Sequence, residues 1–311
     1  MQAKVLKYLG VTAAIPVLAL LLAHAPLRPD IRTVAGMAFF YGALASLWNL
    51  HALSGMVSLG HAAFFGIGAY GSVLTCYYTG LSPWITLWIG GIFAGLYALT
   101  WHICFGHLRH GPYTLATFAA AIIPRVISSN WDSFTFGSMG IMNVRPLFAH
   151  ASEAMYLPVL LIFGFFAVLI HELAISSRAG WALRTVREDE VAAASIGVPV
   201  DFVRLSALVV SGTLTGVAGG IYAHMIGILE PSTVFGLHIS AVPLVFSFFG
   251  GRFTSFGPMF GALTLYSLDQ LLIAPFFPDS HQAMYGLIII ITLWFFPEGV
   301  CSWFRAKTGN A

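Results

Sequence analysis

Apolar stretches of about twenty residues recur along this whole sequence, and that recurrence limits the fold more than any motif does. A helix needs roughly 20 mostly apolar residues to cross the hydrocarbon of a bilayer. Segments near 5–25, 32–52, 57–79, 83–105, 112–129, 156–175, 205–228, 238–250, 256–276 and 282–300 answer to that requirement. Only 8% of the residues are charged and 58% are hydrophobic, whereas an ordinary soluble domain is about a quarter charged. The expectation is an all-α, polytopic membrane protein of about ten transmembrane helices, some broken or short. Residues 1–311 read as a single transmembrane domain, with membrane lipid as its surroundings.

Charge sorts the spans. With the N-terminus inside, the inner segments carry Lys4, Lys7, Arg109, Arg178, Arg184, Arg187, Arg204, Arg252, Arg305 and Lys307. The outer segments carry Arg28, Arg32 and Arg145. That asymmetry places both termini and the loop 176–204 in the cytoplasm. The opening residues imitate a secretory signal, with Lys4 and Lys7 ahead of an apolar run and Ala23-His24-Ala25 resembling a cleavage site. The run is longer than a signal's, and Pro26 would follow the cut, so it reads as an uncleaved first span.

Within the spans, Leu53 to Tyr70 reads LSGMVSLGHAAFFGIGAY. Gly55, Gly60, Gly66 and Gly68 form a small-residue face that lets helices approach closely. Ser54-Gly55 and Ser58-x-Gly60 read as a loosened helix start at membrane depth, where free N–H groups suit a carboxylate. His61 heads this helix, either as a packing histidine or as part of a pathway. Asn49 and Asp269 are further polar residues inside spans. Asn49, Ser58, Gly60, His61 and Asp269 are therefore the candidate pathway residues. Pro124 with Arg125 in the fifth span, and Pro243 in the eighth, mark candidates for broken or tilted helices.

The exception to all this apolarity is Ile175 to Leu205, ISSRAGWALRTVREDEVAAASIGVPVDFVRL. Arginines and carboxylates nearly balance in it, with a helix expected over Glu188–Ser195 and a stop at Val198-Pro199. So charged a segment cannot lie in hydrocarbon. It reads either as a solvated loop with i,i+4 ion pairs or as a docking element for a soluble partner.

Enzymatic readings find little support. His171-Glu172 does not continue to HExxH, and there is neither a P-loop nor a serine elbow. His102, His107 and His110 have poor metal-ligand spacing. Cys76, Cys104 and Cys301 form no disulfide framework, and no basic run suits nucleic acid.

Two stretches, SGMVSLGHAAFFGIGAY (Ser54 to Tyr70) and RAGWALRTVREDEVAAASIGVPVDFVRLSALVVSGTLTGVAGGIYAH (Arg178 to His224), resemble the permeases of high-affinity branched-chain amino-acid ABC importers. The likeness is closer to the larger, M-type permease subunit. FFGGRFTSFGPMFGALTLY and FFPEGV look like later motifs of that family. The resemblance implies a non-enzymatic subunit in the bacterial inner membrane, importing leucine, isoleucine and valine. It also implies a second, related permease subunit, two cytoplasmic ATP-binding subunits that hold ATP and Mg, and a periplasmic substrate-binding protein; this chain itself carries no cofactor. It turns the charged segment into a coupling loop with an EAA-x3-G-like spacing, in which Ala192, Ala193 and Gly197 keep their places and Glu190 stands one residue early. Arg184, Arg187, Glu190, Ala192, Ala193 and Gly197 are then expected at the ATPase contact. Met56 stands where the family tends to have Gln, and Phe248-Phe249 where it tends to have smaller residues. Urea, short amides or another small solute therefore stay open as substrates, and so does a partner-independent channel or facilitator.

Overall fold

A computed structural model describes residues 28–148, 153–254 and 256–277, together with 286–287, 290–291, 294 and 299–301. The long helices are α1 (Pro29–Ala52), α2 (His61–Thr79), α3 (Pro83–Phe105), α4 (His110–Asn130) and α5 (Glu153–Ser176). Two short helices follow, α6 (Arg178–Glu188) and α7 (Glu190–Ser195), and then α8 (Val200–Ile226), α9 (Leu237–Gly250) and α10 (Gly257–Leu268). By length and apolarity, Pro29–Ala52, Pro83–Phe105, Met155–Ser176, Val200–Ile226 and Pro231–Gly250 can each cross a membrane. The expectation of an all-α, multi-pass membrane protein is met. The expected first span, 5–25, lies outside the described residues, and the last, 282–300, lies largely outside them.

The chain divides into two compact units, one within Met1–Ser46, His150–Leu173 and Val245–Ala311, the other within Leu47–Ala149 and Ala174–Leu244. In the first, backbones meet at small residues. A Cβ on Gly164 would stand 2.8 Å from the carbonyl oxygen of Phe39. Tyr41 packs against Tyr266 and Phe246 at ring-centroid distances of 5.2 and 6.4 Å. The Ser247 hydroxyl donates to Ala45 O at 3.0 Å. α10 ends in a π-helical turn, Asp269–Ile273, where Gln270 Nε2 donates to Asp269 Oδ2 at 3.0 Å.

The second unit is built on α2, α3 and α8, which meet at glycines. A Cβ on Gly68 would fall on the backbone of Gly216, one on Gly90 would fall on Gly68 O, and one on Gly216 would fall on the Ala94 side chain. Between apolar helices in lipid, such close approach supplies the van der Waals packing that the hydrophobic effect cannot. Further along, His224 Nδ1 lies 2.6 Å from Arg145 O. A carbonyl only accepts, so Nδ1 carries the proton and Nε2 accepts from the Ser72 hydroxyl at 3.0 Å. That histidine fastens the segment after a two-residue antiparallel ribbon, Ile141–Met142 with Ile228–Leu229. The segment between α4 and α5 thus carries secondary structure. Its Phe134 stacks on Tyr78 at 5.7 Å.

The fifth expected span is not broken, because α4 runs through Pro124. Proline lacks the N–H that would bond Ala120 O, and the Tyr97 hydroxyl donates to that oxygen at 3.0 Å instead.

Gly68→Val should destabilise the chain by about 3 kcal/mol through overpacking, read as a lowered thermal transition in detergent. Gly111→Ala, where a Cβ meets nothing within 4 Å, should leave the transition within a degree or so, since surface changes are worth about 0.5 kcal/mol or less.

Candidate functional site

Ala52 ends α1 and His61 begins α2, and the chain between them is not helical. Buried backbone that leaves the helix needs other groups to complete its hydrogen bonds. Here side chains do so. Trp48 Nε1 donates to Ser58 O at 2.8 Å, and the Thr114 hydroxyl donates to Val57 O at 2.9 Å. Thr117 Oγ1 accepts from Leu59 N at 3.3 Å, and Ser58 Oγ accepts from Gly60 N at 3.1 Å. The first turn of α2 does not offer all its N–H groups to a carboxylate, because Ala62 N donates to Ser240 Oγ at 2.7 Å. Glycine is needed at two places. Gly55 turns at φ +85°, and a Cβ on Gly60 would enter the Trp101 ring.

Four of the five expected pathway residues meet at this interruption. Asn49 and Ser58 are fully buried, His61 is nearly so, and Gly60 lies beside them. Asp269 belongs to the other unit, where its Oδ1 is buried with no partner among the described residues. The His61 ring stands 6.1 Å from that of His51, and His51 Nε2 is 2.9 Å from the Tyr113 hydroxyl. The Ser211 hydroxyl gives its proton to Leu47 O at 2.7 Å, so it accepts from His61 Nε2 at 3.0 Å. That fixes the tautomer. His61 Nδ1 is left as a buried acceptor without a partner among the described residues.

The charged segment is two helices rather than one. Asp189 is extended at φ −153° and caps α7 by accepting from Val191 N at 2.8 Å and Ala192 N at 3.0 Å. Gly197, at φ +86°, closes the other end. Val198 N donates to Ala193 O and Gly197 N to Ala194 O, each at 3.0 Å, which is the Schellman arrangement. The spacing of Ala193 and Gly197 therefore has a local cause, a short helix capped at both ends. The Glu190 carboxylate is taken from both sides, by Arg109 Nη2 at 2.9 Å and Arg204 Nη2 at 2.9 Å. Ala193 is fully buried, Arg184 Nη2 reaches Ile175 O at 3.4 Å, and Arg187 is half-buried beside Gly55. Ala192 and Gly197 are exposed, as are Trp181, Val191, Ile196 and Phe202, each 67–74% accessible. Among the described residues no group of three His, Cys, Asp or Glu side chains could hold a metal ion.

Residues 31–293 match the family described as "Branched-chain amino acid transport system / permease component". The chain belongs to that family of ABC transporter permeases. The permease is 26% identical over 276 residues to the high-affinity branched-chain amino acid transport system permease protein LivM of Escherichia coli (strain K12), covering 80% of this chain and 64% of that one. The LivM protein of Salmonella typhimurium is 25% identical over 291 residues, 83% of this chain and 68% of its own. The permease thus spans about two thirds of the length of these relatives. It is also 26% identical over 230 residues, 67% of this chain and 71% of the other, to the nucleoside ABC transporter permease protein NupC of Lactococcus lactis subsp. cremoris. No solved structure matches it.

Sequence reasoning missed the residues that complete the interruption, Trp48, Thr114, Thr117, Ser240 and Ser211, and the arginine pair on Glu190. Isolated Thr and Ser inside apolar helices give no periodic signal. Arg109 was visible only as one of the inner charges, far from Glu190 in sequence.

Trp48→Phe keeps the ring packing but leaves Ser58 O without its donor, which should cost ~1–3 kcal/mol. A thermal transition lowered by several degrees relative to the native chain, with unchanged membrane insertion, is the expected result.

Proposed function

We propose that this chain is a permease subunit of an ATP-driven importer for branched-chain amino acids in a bacterial inner membrane, with both termini and the α6–α7 turn in the cytoplasm. Its partners in this reading are a second, related permease subunit, two ATP-binding subunits that supply ATP and Mg, and a periplasmic substrate-binding protein. The whole chain then works as one permease domain. The observation that carries the reading is α7. It is a rigid, doubly capped helix on a segment too charged for hydrocarbon, and it presents Val191 and Ile196 outward. Apolar side chains held that far out on a charged element fit a protein partner better than water.

In this reading Val191, Ala192 and Ile196 touch the ATPase, while Arg184, Arg187, Glu190, Ala193 and Gly197 shape and anchor the element that does so. Closing of the ATPase pair moves α7 as a rigid body. Asn49, Ser58, Gly60 and His61 line the solute path once the interruption rearranges, and the unpartnered Nδ1 of His61 is a ready acceptor for a donor group on the solute. Asp269, whose Oδ1 is buried without a partner among the described residues, is proposed as a pathway residue within its own unit.

A different small polar solute is the second reading, and the likeness to a nucleoside permease favours it. Gentle purification of the tagged chain from its native membrane tests the machine. Recovery of an ATP-binding subunit and a second permease, followed by ATP-dependent uptake of labelled leucine in liposomes, supports the import of branched-chain amino acids. Uptake of a labelled nucleoside or urea in place of leucine moves the assignment to the second reading. Recovery of the chain alone, passing solute without ATP, rejects both in favour of a facilitator. Val191→Glu with Ile196→Glu should lower recovery of the ATP-binding subunit by roughly 30-fold, the scale of one interface hot spot of about 2 kcal/mol, with the chain still inserted.

A further inference from the structure

The end of α6 lies against the connection between α1 and α2. A Cβ on Gly55 would stand 3.3 Å from Arg187 Cγ, 3.4 Å from Arg187 Cα and 3.6 Å from Arg187 Cβ. The Gly55 turn therefore lies beside Arg187, where a side chain would press on its Cα, Cβ and Cγ, and its φ of +85° excludes most other residues independently. On one side of this contact, two residues after Arg187, Asp189 caps α7. Glu190 then ties that helix to Arg204 of α8 and to Arg109, the residue just before α4. On the other side, Val57, Ser58, Leu59 and Gly60 are held by bonds to Thr114, Trp48, Thr117 and the Ser58 hydroxyl. The chain then enters α2 at His61.

We propose that Arg187 and Gly55 are positioning residues, and that their contact hands the displacement of the docking helix directly to the interruption that carries Ser58 and His61. The inference rests on the importer reading above and assigns Arg187 to the inside of the coupling element, away from the ATPase. Two physical features support it. Packed contacts of this closeness switch between discrete arrangements rather than yielding gradually. The route also consists of adjoining bonded and packed groups, with no gap to bridge. Glu190 serves as the anchor about which the element turns, since its carboxylate bonds arginines from two other parts of the unit at once. The longer alternative, by way of α8 and the glycine contacts, would move α2 as a whole and would leave the Gly55 turn a passenger.

The test uses the complete importer in proteoliposomes, with ATP hydrolysis and uptake of labelled leucine measured on the same vesicles. Recovery of the ATP-binding subunit is scored for every variant. Arg187→Ala should retain that subunit and keep hydrolysing ATP, while the ATP consumed per leucine rises about tenfold, an ordinary size for coupling between sites. Arg187→Lys, which keeps the stem at Gly55, should restore the native ratio to within about twofold. Gly55→Ala, which presses a Cβ on Arg187, should raise the ratio as Arg187→Ala does, and the double variant should be no worse than the poorer single one, because both disturb the same packing. A native ratio in Arg187→Ala would overturn the proposal, and so would additive effects in the double variant. Loss of the ATP-binding subunit from Arg187→Ala, in a chain that still inserts and runs as a single species, would place Arg187 at the ATPase and overturn it too. Should Arg187→Ala not fold, Gly55→Ala and Arg187→Lys decide: a native ratio in Gly55→Ala refutes the contact's role. Failure of the native chain to hold any ATPase is a different result, which removes the importer reading itself.

Discussion

A buried peptide group without a partner is costly, and in the second unit the connection from α1 to α2 is a place where peptide groups leave the helix. Between Ala52 and His61, Trp48, Thr114, Thr117 and Ser240 take over the bonds that a helix would have made with itself. Each of these side chains comes from a helix that must stand at one distance and one rotation for the bond to form. The connection therefore fixes the end of α1, the start of α4 and the start of α9 around the head of α2, and a change in any of them is felt there. A buried polar network of this kind is rigid when complete and costly when half complete, which makes it a natural two-state element.

Stiffness elsewhere lets that element be driven. The glycines of α2, α3 and α8 bring backbones into close approach, at Gly68 with Gly216 and at Gly90 with Gly68. At the charged end, α7 is closed by Asp189 and Gly197 and anchored by Glu190 between Arg204 and Arg109. Arg204 is largely buried, and a buried guanidinium without its carboxylate would be expensive. The three-part ion pair thus holds α7 in place as long as the unit is folded. A short capped helix on such a base moves with its base or not at all.

Much of this was legible in the sequence. Ser54-Gly55 and Ser58-x-Gly60 announced the loosened helix start, because glycine and serine are poor helix residues and little else in an apolar span would interrupt it. The charged segment announced an element distinct from the apolar helices, but its division at Asp189 was missed. Asp followed by Glu-Val-Ala-Ala is an N-cap signature, and the unbroken run of charge on either side hid it. Pro124 was misjudged for a different reason. Its cost is the orphaned Ala120 carbonyl, and only the fold brings the Tyr97 hydroxyl to that oxygen. The pairing of Glu190 with Arg109 is likewise tertiary, since nothing local relates residues so far apart. Asp269 was found by its charge, yet the π-helical turn it opens has no sequence signal of its own.

The central claim is that α7 and the connection between α1 and α2 form one mechanical element. Hydrogen–deuterium exchange on the complete importer in nanodiscs tests it most directly, comparing the nucleotide-free state with one trapped by a non-hydrolysable ATP analogue. Exchange should change with nucleotide in residues 187–197 and in residues 53–60 together. A change confined to 187–197, with 53–60 exchanging identically in both states, would contradict the account.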